Sequence, residues 1–266
     1  VLGTPTLELL YKVMVAFVAE FSRGKSELIN AIFFADYGRR IMPASAGRTT
    51  MCPTELGYDA SLAPSLRLLP IETRLQLQGL AEWRVKPERW IEIPLDVNNA
   101  DQIAKALEKV AEVRKVTLDN ARALGFWHDE LADENPVPDS EGLVEVPMWR
   151  HAIINIPHPL LKQGLVILDT PGLNAVGAEP ELTVNLIPQA HAVVFILSAD
   201  TGVTRSDLSI WREHLATSVD SLDARLVVLN KIDTLWDTLN SPDEILAQMN
   251  RQCMTSADML GVPLQQ

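Results

Sequence analysis

The chain has 266 residues, 47% of them apolar and 22% charged, with a net charge of −12 at neutral pH. That balance suits one sizeable core, or a domain with a subdomain, and excludes general disorder. It also argues against nucleic acid as the main partner, since phosphate backbones need a basic face, and against broad adhesion to anionic lipid.

No apolar run approaches the roughly 20 residues that span a bilayer. No signal peptide is evident, and Val1 without an initiator Met reads as the start of a fragment. The two cysteines, Cys52 and Cys253, and the five histidines show no metal-ligand spacing; reduced thiols in a cytosolic protein are expected.

Residues 1–11 read as an element preceding the core. The apolar run 13–18 predicts a buried central strand, and Leu28, Ile29, Ile32 and Phe33 predict a helix over 24–35. Between them lies Ala19-Glu20-Phe21-Ser22-Arg23-Gly24-Lys25-Ser26. Strand, loop and helix in that order are the setting of a phosphate loop. Successive backbone N–H groups and the helix N-terminus suit an anion, and Lys25 can reach terminal phosphates. The Ser26 hydroxyl is placed to ligate Mg²⁺. The pattern asks for Gly at its first position, where this chain has Ala19; Ala is harmless there provided its φ is negative.

A loop rich in Gly, Arg, Ser and Thr follows over 36–54, then strands at 55–58 and 66–69. Thr50 and Asp169 are separated by more than a hundred residues, most of them an insert over about 59–145. Its pattern predicts short helices at 71–83 and 87–90, a strand at 90–95, and a helix capped by Asn99 with Ile103, Leu107, Val110 and Arg114 on related faces. A further helical piece at 121–127 precedes a polar loop over 129–141. Trp83, Trp90 and Trp127 read as the insert's own small core rather than a partner surface.

The stretch 146–156 predicts an edge strand paired with the buried run 165–168, which ends in Asp169-Thr170-Pro171-Gly172. A helix is expected over 181–187 and a buried strand over 192–198. Residues 200–207 form a loop at the same sheet edge, with Ser206 as a helix cap. The run 226–229 ends in Asn230-Lys231-Ile232-Asp233, and a long helix occupies 241–259. Ser256-Ala257 falls inside that helix with no strand before it, so it is not read as a base-contacting loop.

Each motif alone has a plain reading. Gly-Lys-Ser is a common loop, Asp-Thr-Pro-Gly is turn chemistry, and Asn-Lys-Ile-Asp is an ordinary polar tetrapeptide. Together, at the ends of three apolar runs, they point to one ligand at the carboxyl edge of an open sheet. Asp-x-x-Gly brings a carboxylate near Mg²⁺ and a backbone N–H near a γ-phosphate. An aspartate such as Asp233 can accept from the ring N–H and the exocyclic amine of guanine, a donor pair adenine lacks. Lys231 can lay its methylene stem over the base.

The runs 21–30, Thr49-Thr50-Met51-Cys52-Pro53-Thr54 and 169–173 resemble the GTPase domain of bacterial dynamin-like proteins. The Thr-x-x-Pro setting of Thr50 and Pro53 is the discriminating piece. The resemblance covers nearly the whole chain from about Lys12 and is weak between Gly57 and Val146.

The resemblance implies a three-layer α/β P-loop domain with a mostly parallel sheet and an α-rich insert. It implies that the chain, 1–266, stops before a last strand and before any helical bundle, leaving an exposed sheet edge. Glu20, Phe21, Ser22, Arg23, Gly24, Lys25, Ser26 and Glu27 would line the nucleotide, with Asp169 and Gly172. Asn230, Lys231 and Asp233 would read the base. Ser26, Thr50 and Asp169 would hold Mg²⁺, Asp169 through water. Ser22 would place a monovalent cation, K⁺ or Na⁺, with Arg23 a rival for that electrostatic task. Leu173 replaces the water-orienting Gln of Ras-like enzymes. Water would then be positioned by Ser22, by backbone near Thr50 and Gly172, or after dimerisation.

The implied activity is GTP hydrolysis to GDP and phosphate by a homodimer meeting across its nucleotide face. The implied place is the cytoplasm, peripheral to the inner face of a membrane, which parts outside this sequence would contact. Two alternatives stand beside it: a non-hydrolysing GTP-dependent scaffold, motivated by Leu173 and Ala19, and a regulatory switch GTPase of ribosome or tRNA. The long insert and the acidic charge speak against the second.

Overall fold

The computed structural model describes residues 12–20, 22–43, 52–130, 135–171, 186–215, 224–236 and 241–264. An eight-stranded sheet is built in two halves. The parallel half holds β1 (Val13–Ala19), β8 (Leu165–Asp169), β9 (Ala192–Ser198) and β10 (Arg225–Asn230). The other half holds β2 (Thr54–Gly57), β3 (Ser65–Pro70), β4 (Ile91–Pro94) and β7 (Trp149–Asn155). The order across the sheet is β10-β9-β1-β8-β2-β7-β3-β4, and β5 (Val113–Thr117) pairs with β6 (Leu143–Pro147) as a separate ribbon.

The two-residue period of β1 explains the layering. Phe17 and Ala19 face one core, with Ile29 and Phe33 of α1 (Lys25–Phe33), Ile103 and Leu107 of α3 (Ala100–Leu107) and Leu161 of α5 (Pro159–Lys162). Ala16 and Val18 face the other, with Ile210 of α6 (Arg205–Ile210), Trp211, and Leu260 of α7 (Pro242–Leu260). The fold is thus a three-layer α/β domain with a large, mostly parallel sheet, as expected. A parallel strand covered on both faces reads as a continuous apolar run, which is why β1, β8 and β9 were legible.

Parallel pairing brings the carboxyl ends of β1, β8, β9 and β10 to one rim, where Ala19, Asp169, Ser198 and Asn230 lie. Strand β2 runs antiparallel to β8, so its first residue, Thr54, sits beside Asp169 at that same rim. The chain therefore enters β2 at that rim, through Cys52 and Pro53.

Three expectations need correction. The stretch 146–156 is not one edge strand paired with β8. It breaks at Met148 into β6 and β7, and β2 stands between β7 and β8. Six of the seven residues of β7 are buried, the signature of an interior strand; the polar letters Arg150 and His151 disguised it. Second, the helix capped by Asn99 ends at Leu107 and tightens over Glu108–Ala111, so Arg114 belongs to β5 rather than to a helical face. The β-branched residues Val113, Val116 and Thr117 favour the strand. Third, α6 is capped by Thr204 rather than Ser206: the Thr204 hydroxyl accepts from Asp207 N (3.1 Å) while the Asp207 carboxylate accepts from Thr204 N (2.9 Å).

The insert is mixed. The short helices α2 (Leu80–Arg84) and α4 (Leu118–Ala123) alternate with β3 and β4, which extend the main sheet, and with the β5–β6 ribbon. Asn99 does cap α3, accepting from Gln102 N at 3.0 Å. Trp83 and Trp90 are buried together with Leu69, and Trp127, half-buried, packs against the cluster that holds Val144 and Val146. The helix expected over 181–187 lies almost wholly outside the described residues. Ser256 and Ala257 lie inside α7, as read. Among the described residues no helix is long and apolar enough to cross a membrane.

Strand β10 forms one edge of the sheet, with Leu226 exposed. Beside it, α7 and Val262 to Leu264 enclose a largely apolar groove of about 650 Å³.

Candidate nucleotide site

The loop after β1 leaves the sheet at Glu20 and becomes helix at Lys25. Two left-handed residues make that turn, Ser22 at φ 64° and Gly24 at φ 82°. A left-handed non-glycine costs about 1 kcal/mol, strain of the kind found where a backbone must present its N–H groups. At Gly24 a Cβ would lie 2.5 Å from Asn230 Nδ2, so both the backbone angle and the space demand glycine. Ala19 is fully buried at the end of β1 and is not among the residues with positive φ; its methyl group packs into the core without strain.

Lys25 Nζ donates to Asp169 Oδ1 and to the Thr170 carbonyl. Asp169 is 2% exposed, and its other oxygen, Oδ2, is buried without a partner among the described residues. A buried carboxylate with one oxygen on an ammonium and one left open is suited to a cation or to the water around one. Thr170 is anchored behind it, its hydroxyl donating to Phe17 O at 2.8 Å. Ser26 is half-buried in the first turn of α1. Ser22 is exposed beside it. Glu27 is exposed and pairs with Arg40 at 2.7 Å.

From the other side, Asn230 Nδ2 donates to Arg23 O at 2.9 Å and to Gly24 O at 3.4 Å. Lys231, left-handed at φ 56°, brings its Cε within 3.9 Å of the Cβ position of Gly24. Its ammonium lies 3.6 Å from Asp200 Oδ2. The Asp200 carboxyl is held below its usual range chiefly by the Ser198 hydroxyl (2.5 Å), with help from Lys231. Asp233 is exposed on the tight turn Ile232–Leu235.

The structure therefore gathers Glu20, Ser22, Arg23, Gly24, Lys25, Ser26, Asp169, Asn230, Lys231 and Asp233 on one rim. Phe21, Thr50, Gly172 and Leu173 lie outside the described residues. The expectation that Arg23 competes for charge compensation at the phosphates meets a guanidinium already engaged by protein groups. Its guanidinium is bonded to Glu20, Thr201, Thr204 and Asp207, and the residue is 5% exposed. Two carboxylates have already claimed that charge.

Sequence reasoning missed the partners that hold the rim. Thr204 and Asp207 could have been found from their Thr-x-x-Asp capping spacing. Asn30, buried in α1, accepts from Ile41 N (2.9 Å) and Met42 N (2.8 Å) and donates to Met42 O (3.0 Å), fixing the chain where it leaves α1 for the Thr50 loop. One strand away, Glu55 of β2 is buried between His151 Nε2 (2.9 Å) and Arg84. Burial alone would raise its carboxyl, but the bond and charge of His151, then those of Arg84, lower it to about 2. No periodicity announces such a pair.

A phosphate loop, a buried Asp-x-x-Gly carboxylate and an Asn-Lys-x-Asp turn on one rim of a three-layer sheet define a P-loop nucleotide-binding domain of the GTPase class. A model of the dynamin family matches residues 15–233. The chain belongs to the dynamin family and carries its GTPase domain. It is 23% identical over 229 residues to a bacterial dynamin-like protein of Nostoc punctiforme, covering 86% of this chain and 26% of that protein. Two solved chains of an oligomerised bacterial dynamin pair, described as providing a mechanism for long-range sensing and tethering of membranes, share the fold at a TM-score of 0.51. They are 16% and 14% identical; the aligned parts cover 94% and 95% of this chain and 31% and 36% of theirs. The chain thus spans about a quarter of its curated relative and about a third of these solved chains.

Proposed function

We propose that this domain binds GTP with Mg²⁺, hydrolyses it to GDP and phosphate, and couples the cycle to self-assembly and membrane remodelling by a longer protein. The observation that carries this reading is the meeting of three motifs: Lys25 on Asp169 and Thr170, and Asn230 on the carbonyls of Arg23 and Gly24.

Lys25 exchanges its contacts with Asp169 and Thr170 for the β- and γ-phosphate oxygens. Backbone N–H groups from Ser22 to Ser26 cradle the phosphates, and Asp233 selects guanine through its donor pair. Ser26, Thr50 and Asp169 would hold Mg²⁺; the Oδ2 of Asp169, without a partner among the described residues, fits that role. The ion supplies neutralisation of charge on the phosphoryl oxygens. Ser22 would hold a K⁺ or Na⁺ ion beside them. Backbone near Thr50 and Gly172, with Ser22, orients the attacking water, aided by a second copy across the nucleotide face. Contact with a membrane, from the cytoplasmic side, belongs to parts of the protein outside this sequence. The description of the two similar solved chains, a dynamin pair that senses and tethers membranes, supports a membrane contact.

Phosphate release by the purified full-length protein, with K⁺ and Mg²⁺, tests the proposal against Lys25→Ala. Release above the variant is expected. Binding without release would favour the non-hydrolysing scaffold. Equal use of ATP would refute the roles of Asn230 and Asp233. Co-sedimentation with liposomes is expected; co-sedimentation with ribosomes instead would favour the regulatory switch GTPase.

A further inference from the structure

We infer that Arg23 is a positioning residue for nucleotide binding, acting as a clamp that ties the phosphate loop to the segment between β9 and α6. The inference rests on the GTP-binding reading above.

Arg23 is fixed at both ends. Its carbonyl accepts from Asn230 Nδ2 at 2.9 Å. Its guanidinium donates to Asp207 Oδ2 at 2.8 Å, to Thr204 Oγ1 at 3.3 Å, and also to Glu20 and Thr201. Thr204 and Asp207 are themselves interlocked as the cap of α6, so the guanidinium is anchored to a rigid helix start rather than to a loose loop. Thr201 lies in the turn closed by the Ser198–Gly202 bridge at the end of β9.

The residues flanking Arg23, Ser22 and Gly24, are the two left-handed ones. The alternation that turns N–H groups toward an anion is held from its middle residue. A clamp of this kind lowers the reorganisation needed when a triphosphate binds, because the cradle is formed beforehand. It also gives residues 200–207 a mechanical hold on the nucleotide: displacing Asp207 or Thr204 displaces Arg23. The guanidinium is engaged by Glu20, Thr201, Thr204 and Asp207, so it acts through the backbone it pins.

The test uses the full-length protein, with Mg²⁺ and a fluorescent GTP analogue, on wild type, R23A, R23K, D207N and the R23A/D207N double variant. Thermal melting is run in parallel. R23A leaves Glu20 and Asp207 without their cation in a buried site, so the double variant, which removes the Asp207 charge too, separates lost positioning from simple misfolding.

The clamp predicts that R23A and D207N each weaken GTP binding by about tenfold or more, and that the double variant is no weaker than R23A, because both remove one coupled contact. R23K should recover part of the loss, and KM should rise more than kcat falls. Additive losses in the double variant, or an affinity unchanged in a folded R23A, would overturn the clamp. So would a loss confined to kcat in R23A with D207N unaffected, which would place the guanidinium on the phosphates. A wild-type protein that binds no GTP overturns the underlying reading, an outcome distinct from tight wild-type binding that R23A leaves intact.

Discussion

Thr54 stands directly opposite Asp169 in the antiparallel pairing of β2 with β8. The two residues follow the Thr50 loop and begin the Asp-Thr-Pro-Gly turn, so the two segments expected to answer a γ-phosphate are joined by one ladder of backbone hydrogen bonds. Thr54 is fully buried, its hydroxyl donating to Cys52 O at 3.2 Å, which ties the ladder to the end of the loop. A shift of one segment is therefore felt by the other without any side chain carrying it.

Gly24→Ala should abolish usable nucleotide binding. Its φ of 82° and the 2.5 Å approach of Asn230 Nδ2 leave no room for a methyl group, so either the loop or Asn230 must move. A loss of about a hundredfold in GTP affinity, read by fluorescence titration, is expected, with a fall of a few degrees in the melting temperature from the strained backbone.

Ala19→Gly should behave in the opposite way. The position needs no left-handed backbone and its side chain is fully buried. Stability should fall by about 1 kcal/mol from the added chain entropy and the lost methyl contacts, seen as an earlier urea midpoint. Nucleotide affinity should change by less than tenfold; a larger gain would mean that the native loop is strained by its alanine.

Asp233→Asn should weaken GTP and favour xanthosine triphosphate, because the amide replaces one acceptor with a donor. Competition titration with the two nucleotides measures the exchange of preference. An unchanged order of affinities would remove Asp233 from base selection.

Asn30→Ala should destabilise the domain by about 2–3 kcal/mol, since it leaves two buried N–H groups and a carbonyl to find other partners. Hydrogen exchange at Ile41 and Met42 should rise at least as much as the global loss predicts.

Glu55 should make the fold acid-sensitive. Its folded pKa, about 2, lies below its ordinary value of 4.5, so its contribution is fully present above pH 4.5 and is lost as pH falls towards 2. The shift corresponds to about 3 kcal/mol. Glu55→Gln should flatten the stability profile between pH 4.5 and 2, measured by urea unfolding at stepped pH, while lowering stability at neutral pH.

In the parallel half, β1, β8 and β9 were legible because strands covered on both faces spell apolar runs, and β1, β8 and the edge strand β10 each end in a motif whose chemistry demands a rim. The helix Pro242–Leu260 was legible from Ser241 and Pro242, a cap and a first-turn proline. The other half was not. Strand β7 carries Arg150 and His151 inward, where Arg150 finds the Thr73 carbonyl (2.9 Å) and His151 finds Glu55, partners far away in the chain. Strand β5 follows α3 and its tightened last turn so closely that the helical period seemed to run on to Arg114. In the site, the motif letters predicted which residues meet, but not that Arg23 would turn from the phosphates to Asp207. That choice depends on a cap formed 184 positions later.

Asn230 spends its amide on the carbonyls of Arg23 and Gly24. It is a rivet between two loops before it is anything else. A programme that retunes the domain toward unnatural nucleotides therefore has one free letter in this tetrapeptide, Asp233, and one that must stay as it is. Replacing Asn230 would release the carbonyls of Arg23 and Gly24, so any base contact it makes on the proposed reading would be lost together with the loop it fastens.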